Sequence, residues 1–67
     1  MDTVKRVYDL LEERHMSLHR LSRISGINYS TLKTTERRSG QLSVDTIERI
    51  CRALGLPLAE FFREEDR

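Results

Sequence analysis

The two-residue interval Gly26-Ile27 between two predicted helices constrains the fold more than any other feature of the sequence. Ser17 is a good N-cap for the helix before this interval, and Asn28 is a good N-cap for the helix after it. Gly26 followed by Ile27 is typical of a glycine C-cap with its hydrophobic contact. Because only these two residues join two short, capped helices, the two helices form a helix-turn-helix.

The rest of the chain also has helical periodicity. Apolar residues recur three and four positions apart, as at Val4, Val7, Tyr8 and Leu11, and nowhere do apolar and polar residues alternate for long enough to form a strand. A short helix is stable only when it packs against other elements. We therefore expect an all-α fold, a compact five-helix bundle in a single domain over residues 1–67. The predicted helices cover about 3–14, 17–25, 28–38, 43–54 and 58–63.

The last two predicted helices supply much of the expected core. The clearest apolar stripe lies on the fourth helix and consists of Val44, Ile47, Ile50, Cys51 and Leu54. The fifth helix adds Leu58, Phe61 and Phe62. We expect one Phe to be buried within the chain and the other to lie at the edge of the core.

Length and composition exclude several classes of protein. A chain of 67 residues has little room for an enclosed substrate pocket. Its one cysteine, Cys51, excludes an internal disulfide and a multi-cysteine zinc site. The mostly apolar run 53–59 is far shorter than the ~20 residues that span a membrane, and the start of the chain lacks the apolar stretch of a signal peptide. We expect a soluble protein without a cofactor.

Basic charge is concentrated in the middle of the chain. Residues 14–40 hold six Lys and Arg residues and one acid, a net charge of +5, whereas residues 1–13 and 41–67 each have a net charge of −2. An anionic partner would therefore bind the middle segment. The alternative is a solvated surface that happens to be basic.

Three stretches of the chain together have the motif order of a known family. Residues 16–32 read MSLHRLSRISGINYSTL, residues 43–47 read SVDTI, and residues 53–62 read ALGLPLAEFF. They resemble the helix-turn-helix, the opening of the fourth helix and the ending of the Cro/CI phage-repressor family. The resemblance implies a transcriptional regulator in the prokaryotic or phage cytosol. It would bind double-stranded DNA as a homodimer, with the helix 28–38 in the major groove.

Four positions depart from the family pattern. The Gln that the family often has in the first turn of the second helix, where it contacts phosphate and braces the recognition helix, is Leu18 here. The family Arg that pairs with the Glu at the end of the third helix is replaced by Leu11, although Glu36 remains. Thr35 replaces a buried aliphatic residue, and Arg38 replaces the usual Gly. These changes leave the predicted fold intact and alter the phosphate clamp.

The third predicted helix has a polar face that suits a DNA groove. Ser and Thr hydroxyls can bond several bases, Lys favours guanine, and a Tyr ring can pack on a thymine methyl. The residues expected to contact bases are Tyr29, Ser30, Lys33 and Thr34. The alternative is a merely exposed polar face, with Tyr29 supporting the helix instead.

Helix N-termini and arginines provide candidate phosphate sites, because free N–H groups and positive charge attract an anion. The residues expected to contact phosphate are Ser17, Asn28, Arg37, Arg38 and Gln41. The last three flank the loop after the third helix, where the family touches the sugar-phosphate backbone. The alternative is that Ser17 and Asn28 only cap helices and that the arginines are solvated.

Two further residue pairs have open interpretations. His15 and His19 are four residues apart, but no third ligand has a matching spacing, so we expect exposed histidines and no metal site. Phe61 and Phe62 form the expected dimer contact, because the last helix often has this role in the family. The alternative is that they only close the core.

The sequence leaves two functions open. The first is sequence-specific DNA binding as a small transcriptional regulator. The second is a protein–protein interaction module on the same fold, such as an accessory or antirepressor-like partner, which Leu18, Ile24 and the near-neutral net charge favour. An enzyme is not expected, because the sequence shows no triad, metal cluster or Gly-rich phosphate loop.

Overall fold

The chain forms five α-helices and no strand within residues 2–38 and 40–63, the part that a computed structural model describes. The helices are α1 (Thr3–Glu13), α2 (Leu18–Ser25), α3 (Tyr29–Arg37), α4 (Val44–Leu54) and α5 (Leu58–Phe61). The all-α fold with five helices is confirmed. The predicted helix 58–63 is too long, because Phe62 is the C-cap of α5. Residue 1, Ser39 of the loop after α3, and residues 64–67 lie outside the described residues.

Side-chain caps begin the first four helices. In each case a side-chain oxygen accepts a hydrogen bond of 2.9 to 3.2 Å from a backbone N–H two or three residues further on. Such a cap stabilises a helix by about 1 kcal/mol. The capping residues are Asp2, Ser17, Asn28 and Ser43.

Gly26 shapes the turn between α2 and α3. Its φ of +75° is in the left-handed region, which glycine adopts without the clash of a Cβ atom. The Gly26 N–H donates to the Ser22 carbonyl at 3.1 Å, and the Ser22 hydroxyl donates to the Ile27 carbonyl at 2.6 Å. Ile27 itself is buried. One backbone hydrogen bond, one side-chain hydrogen bond and the burial of Ile27 in the core therefore hold the turn.

The core is built mainly by α1 and α4, and α2, α3 and α5 each bury one apolar side chain. The most deeply buried large side chains are Leu21, Ile47, Ile50 and Phe61. Cys51 is buried as expected, and Leu10 joins the core although the predicted stripe of α1 did not include it. Val44 was expected in the stripe of α4 but is 60% exposed. It is the first residue of the helix and lies at the edge of the stripe, so its neighbours do not cover it.

Arg6 joins α1 to α5. Its Nε and Nη2 atoms donate hydrogen bonds to the carbonyl oxygens of Phe61, at 2.7 Å, and Glu60, at 2.8 Å. The last carbonyls of a helix have no partner within the helix itself, so Arg6 satisfies two of them. A helix of four residues is not stable alone. Arg6 and the burial of Phe61 together fix α5 on the bundle.

Candidate nucleic-acid interface

The outer face of α3 lies on the surface of the bundle. Of the residues of α3, all of which the structure describes, Leu32 is the one that is buried. Ser30 and Arg37 are exposed on the other side of the helix, and Thr34 is half-exposed between them. The face that was expected to contact bases is therefore accessible while Leu32 stays in the core.

Asn28 caps the N-terminus of α3 through hydrogen bonds with Ser30. The Asn28 Oδ1 atom accepts hydrogen bonds from the Ser30 N–H at 2.9 Å and from the Ser30 hydroxyl at 2.6 Å. Capping uses the side-chain oxygen of Asn28 and leaves its NH2 group as a donor for an anion. At Ser17 the hydroxyl oxygen accepts from the Arg20 N–H, and the O–H group can still donate. Helix capping and phosphate contact are therefore compatible at both residues.

Tyr29, the first residue of α3, is stacked on His19 of α2. The ring centroids are 3.9 Å apart and the planes are 5° from parallel. His19 is exposed, as expected, and Tyr29 is half-exposed. The position of the Tyr29 ring is thus determined by a side chain on the other helix of the helix-turn-helix.

Lys33 belongs to a polar cluster that joins α3 to α1. Its Nζ atom lies 3.0 Å from Glu36 Oε1, and the Tyr8 hydroxyl donates to the same oxygen at 3.0 Å. Tyr8 therefore supplies a partner for Glu36 where Leu11 replaces the family's Arg. Lys33 is ion-paired in the free protein, and its ammonium group has further N–H donors for a base.

The hydrogen bonds of this cluster shift the pKa values of its three members. The hydrogen bond to Glu36 raises the pKa of Lys33, and the hydrogen bonds from Lys33 and Tyr8 lower the pKa of Glu36. Burial and the hydrogen bond to Glu36 raise the pKa of Tyr8. At neutral pH the cluster therefore consists of an ammonium group, a carboxylate and a neutral phenol.

Four exposed arginines of the basic segment make no ion pair with any residue in the described ranges. They are Arg20, Arg23, Arg37 and Arg38. Arg37 ends α3, and Arg38 is its C-cap. An arginine outside an ion pair has its N–H donors available for an anionic ligand. The arginines near the end of α3 are thus available where phosphate contact was expected.

Gln41 has a structural contact that the sequence did not suggest. Its Oε1 atom accepts hydrogen bonds from the N–H of Thr3, at 3.0 Å, and from the Thr3 hydroxyl, at 2.8 Å. The Leu42 N–H in turn donates to the Thr3 hydroxyl at 2.8 Å. This network ties Gln41 and Leu42 to the start of α1, so these two residues have a defined position beside α1.

The two phenylalanines of the expected dimer contact have different environments. Phe61 is fully buried, whereas Phe62 is 42% exposed, as expected of one buried and one edge residue. Their rings meet edge to face with centroids 5.2 Å apart. Phe61 has no exposed surface in this chain, and the dimer contact stays a prediction. Phe62 is the residue of the pair that another chain can reach.

The described residues contain neither a candidate metal site nor a helix that could cross a membrane. Within residues 2–38 and 40–63 no group of three or more His, Cys, Asp and Glu side chains could hold a metal ion. His15 lies in the turn between α1 and α2, as expected, with a φ of +53°, while His19 contacts Tyr29. None of the described helices combines the length and apolar character that a membrane crossing requires.

Sequence reasoning missed three residues that position this surface: Tyr8, His19 and Thr3. Tyr8 was expected on the inner stripe of α1, and its hydroxyl reaches Glu36 from the edge of that stripe. One available signal was Glu36 itself, because a retained Glu without its family Arg needs another partner. For His19 and Thr3 the sequence offered no comparable signal.

Comparison with known proteins agrees with this geometry. A family model described as a Cro/C1-type HTH DNA-binding domain matches residues 6–66. The HTH-type transcriptional regulator PuuR of Escherichia coli (strain K12) is 27% identical over 63 residues, which are 94% of this chain and 34% of that protein. PuuR of Shigella flexneri matches to the same extent.

The matches cover different shares of this chain and of its relatives. The chain spans about a third of the length of the curated relatives, at 34% of each. No solved structure gives a significant match. The family match, however, extends over nearly all of α1 and over α2 to α5, including the turn at Gly26 and the exposed α3. The chain therefore belongs to the family of Cro/C1-type HTH DNA-binding domains.

Proposed function

We propose that this DNA-binding regulator domain reads double-stranded DNA by placing α3 in the major groove. The observation that carries the proposal is the burial of α3 through Leu32 alone, which leaves the face of Ser30, Thr34 and Arg37 on the surface. An α-helix fits the major groove, and residues in its first turns reach base edges. The proposed base contacts are Tyr29, Ser30, Lys33 and Thr34.

Phosphate contacts would supply most of the affinity and fix the position of α3 on the duplex. The capped N-termini of α2 and α3 and the unpaired arginines at the end of α3 support this assignment. Gln41, which Thr3 holds beside α1, would approach the same backbone. The proposed phosphate contacts are Ser17, Asn28, Arg37, Arg38 and Gln41.

The active form would be a symmetric homodimer in the cytosol of a prokaryotic cell or its phage. Phe62 supports a contact through α5, since an exposed ring beside the half-exposed Leu58 offers apolar surface to a second copy. Two copies would then read half-sites about one helical turn apart, ~34–36 Å. The proposed function needs no catalysis and no cofactor, because regulation by DNA binding rests on contact alone.

Salt dependence tests the proposed DNA contact. Fluorescence anisotropy with a mixed-sequence duplex should show binding that weakens steeply between ~50 and ~200 mM salt, because bound phosphates release counterions. Arg38→Ala should reduce the slope of log affinity against log salt by about 0.9, the share of one phosphate contact. Arg52→Ala, a change of an exposed arginine on α4, is the matched control and should leave the slope unchanged.

Two results would contradict the proposal. One is the absence of salt-sensitive binding by the unaltered protein at micromolar concentration, which would favour a protein-binding module. The other is an equal change of slope for Arg38→Ala and Arg52→Ala, which would indicate a general charge effect without a defined docking face.

A further inference from the structure

The stacked pair of His19 and Tyr29 crosses the helix-turn-helix at the point where the recognition helix begins. Tyr29 is the first residue of α3, and His19 lies in the first turn of α2. The described residues contain two aromatic ring contacts. The second is Phe61 with Phe62, at the end of α5. The His19–Tyr29 pair is the one that involves a proposed DNA-contacting residue.

The ring of Tyr29 is held on one face. Its contact with His19 has a centroid distance of 3.9 Å and nearly parallel planes, so one face of the phenol ring is covered by the imidazole. The side chain therefore has a defined place against α2.

A ring that is already fixed loses less conformational freedom when it binds than a ring that rotates freely in the unbound protein. With one face covered by His19, Tyr29 can present only its second face, its edge and its hydroxyl to a base. These constraints reduce the number of contacts that Tyr29 can make, and packing of its free face on a thymine methyl is one that remains.

We infer that His19 is a positioning residue that sets base specificity at the one base pair which Tyr29 contacts. This inference rests on the proposed function, since it needs α3 in the major groove. His19 acts through ring stacking on Tyr29, the first residue of α3.

Selection of bound sequences from a random DNA pool tests the inference with four proteins: the unaltered chain, Tyr29→Ala, His19→Ala and His19→Phe. His19→Ala should reduce discrimination at the same base pair that Tyr29→Ala affects and leave the other positions unchanged. The expected reduction is about 2- to 12-fold, equivalent to the ~0.5–1.5 kcal/mol of an aromatic pair. His19→Phe, which retains a stacking ring and removes both ring nitrogens, should restore the original preference. Circular dichroism verifies that each variant is folded.

A double variant sharpens the test. In the background of Tyr29→Ala, His19→Ala should cause no further change of specificity, because the two residues act as a unit. Three results would overturn the inference: an unchanged specificity profile for His19→Ala, an equal loss of affinity on every sequence, or a failure of His19→Phe to restore the preference. Failure of the proposed function is distinct, since the unaltered protein would then select no sequence at all.

Discussion

α3 and α4 are neighbouring helices of 9 and 11 residues that are attached to the bundle in different ways. α4 buries an apolar stripe of Ile47, Ile50 and Cys51. α3 buries Leu32 alone and is otherwise attached at its ends by side-chain contacts, with Tyr29 on His19 at the start and Glu36 on Tyr8 towards the end. α4 is therefore held mainly by its buried apolar stripe, whereas α3 is held by one buried residue and by side-chain contacts near its ends.

This difference explains how so small a domain combines stability with a variable surface. Burial of large apolar side chains supplies most of the stability, and it is concentrated in α1 and α4. The outward residues of α3 are not needed for the core, so they can be selected for what they bind. Substitutions of buried core residues should therefore reduce stability, whereas substitutions of the exposed residues of α3 should change binding.

The largest expected effect is a loss of stability in the core, and it should differ between the adjacent residues Phe61 and Phe62. Phe61→Ala should destabilise the fold by about 3–5 kcal/mol, because it removes a fully buried ring and leaves a cavity. Phe62→Ala is the matched control and should change the free energy of unfolding of the monomer by no more than ~1 kcal/mol. Urea denaturation at low protein concentration measures both values.

The same control tests the dimer. In sedimentation at high concentration the unaltered chain should associate weakly, and Phe62→Ala should associate less. Equal destabilisation by the two substitutions would contradict the different burial of the rings. If the unaltered protein stayed monomeric with and without DNA, the homodimer would be wrong.

A smaller effect is expected where α3 is attached to α1. The pKa of Glu36 is lowered by Lys33 and Tyr8, so its ionised form stabilises the fold. This stabilisation is present above the unfolded-state pKa, near the ordinary value of 4.5, and is lost as pH falls through the lower folded-state pKa. Glu36→Gln should therefore be less stable than the unaltered protein at pH 7, and the difference should shrink in acid.

Urea denaturation at pH 7 and at a pH below the folded-state pKa of Glu36 measures this difference. Glu12→Gln, a change of an exposed carboxylate on α1, is the control and should differ little from the unaltered protein at either pH. A deficit of Glu36→Gln that stayed constant with pH would show that the cluster does not act through the carboxylate charge.

Much of the fold could be predicted because local rules determine it. Ser17 and Asn28 cap helices for reasons that lie within a few residues, and Gly26 ends α2 by its own backbone geometry. The sequence also predicted the buried Cys51 and the division between Phe61 and Phe62, because an apolar stripe shows which side of a helix faces inward.

The remaining features depend on how the helices cross, which periodicity does not show. Val44 belongs to the stripe of α4 by spacing, but it lies at the end of the helix where the neighbouring elements leave it 60% exposed. The contacts of Tyr29 with His19 and of Tyr8 with Glu36 join different helices. The polar residues of α3 could be identified from the sequence, whereas the contacts that position them could not.

The most direct test of the central claim, that α3 reads bases while its end anchors the backbone, compares Thr34→Ala with Arg38→Ala in a selection from random DNA. Thr34→Ala should alter the preference at one position and cost ~1–3 kcal/mol on the preferred site, with little change elsewhere. Arg38→Ala should weaken binding to all sequences about equally, because a phosphate contact carries no base information. If both substitutions gave the same uniform loss on every sequence, the assignment of α3 as the base-reading helix would be wrong.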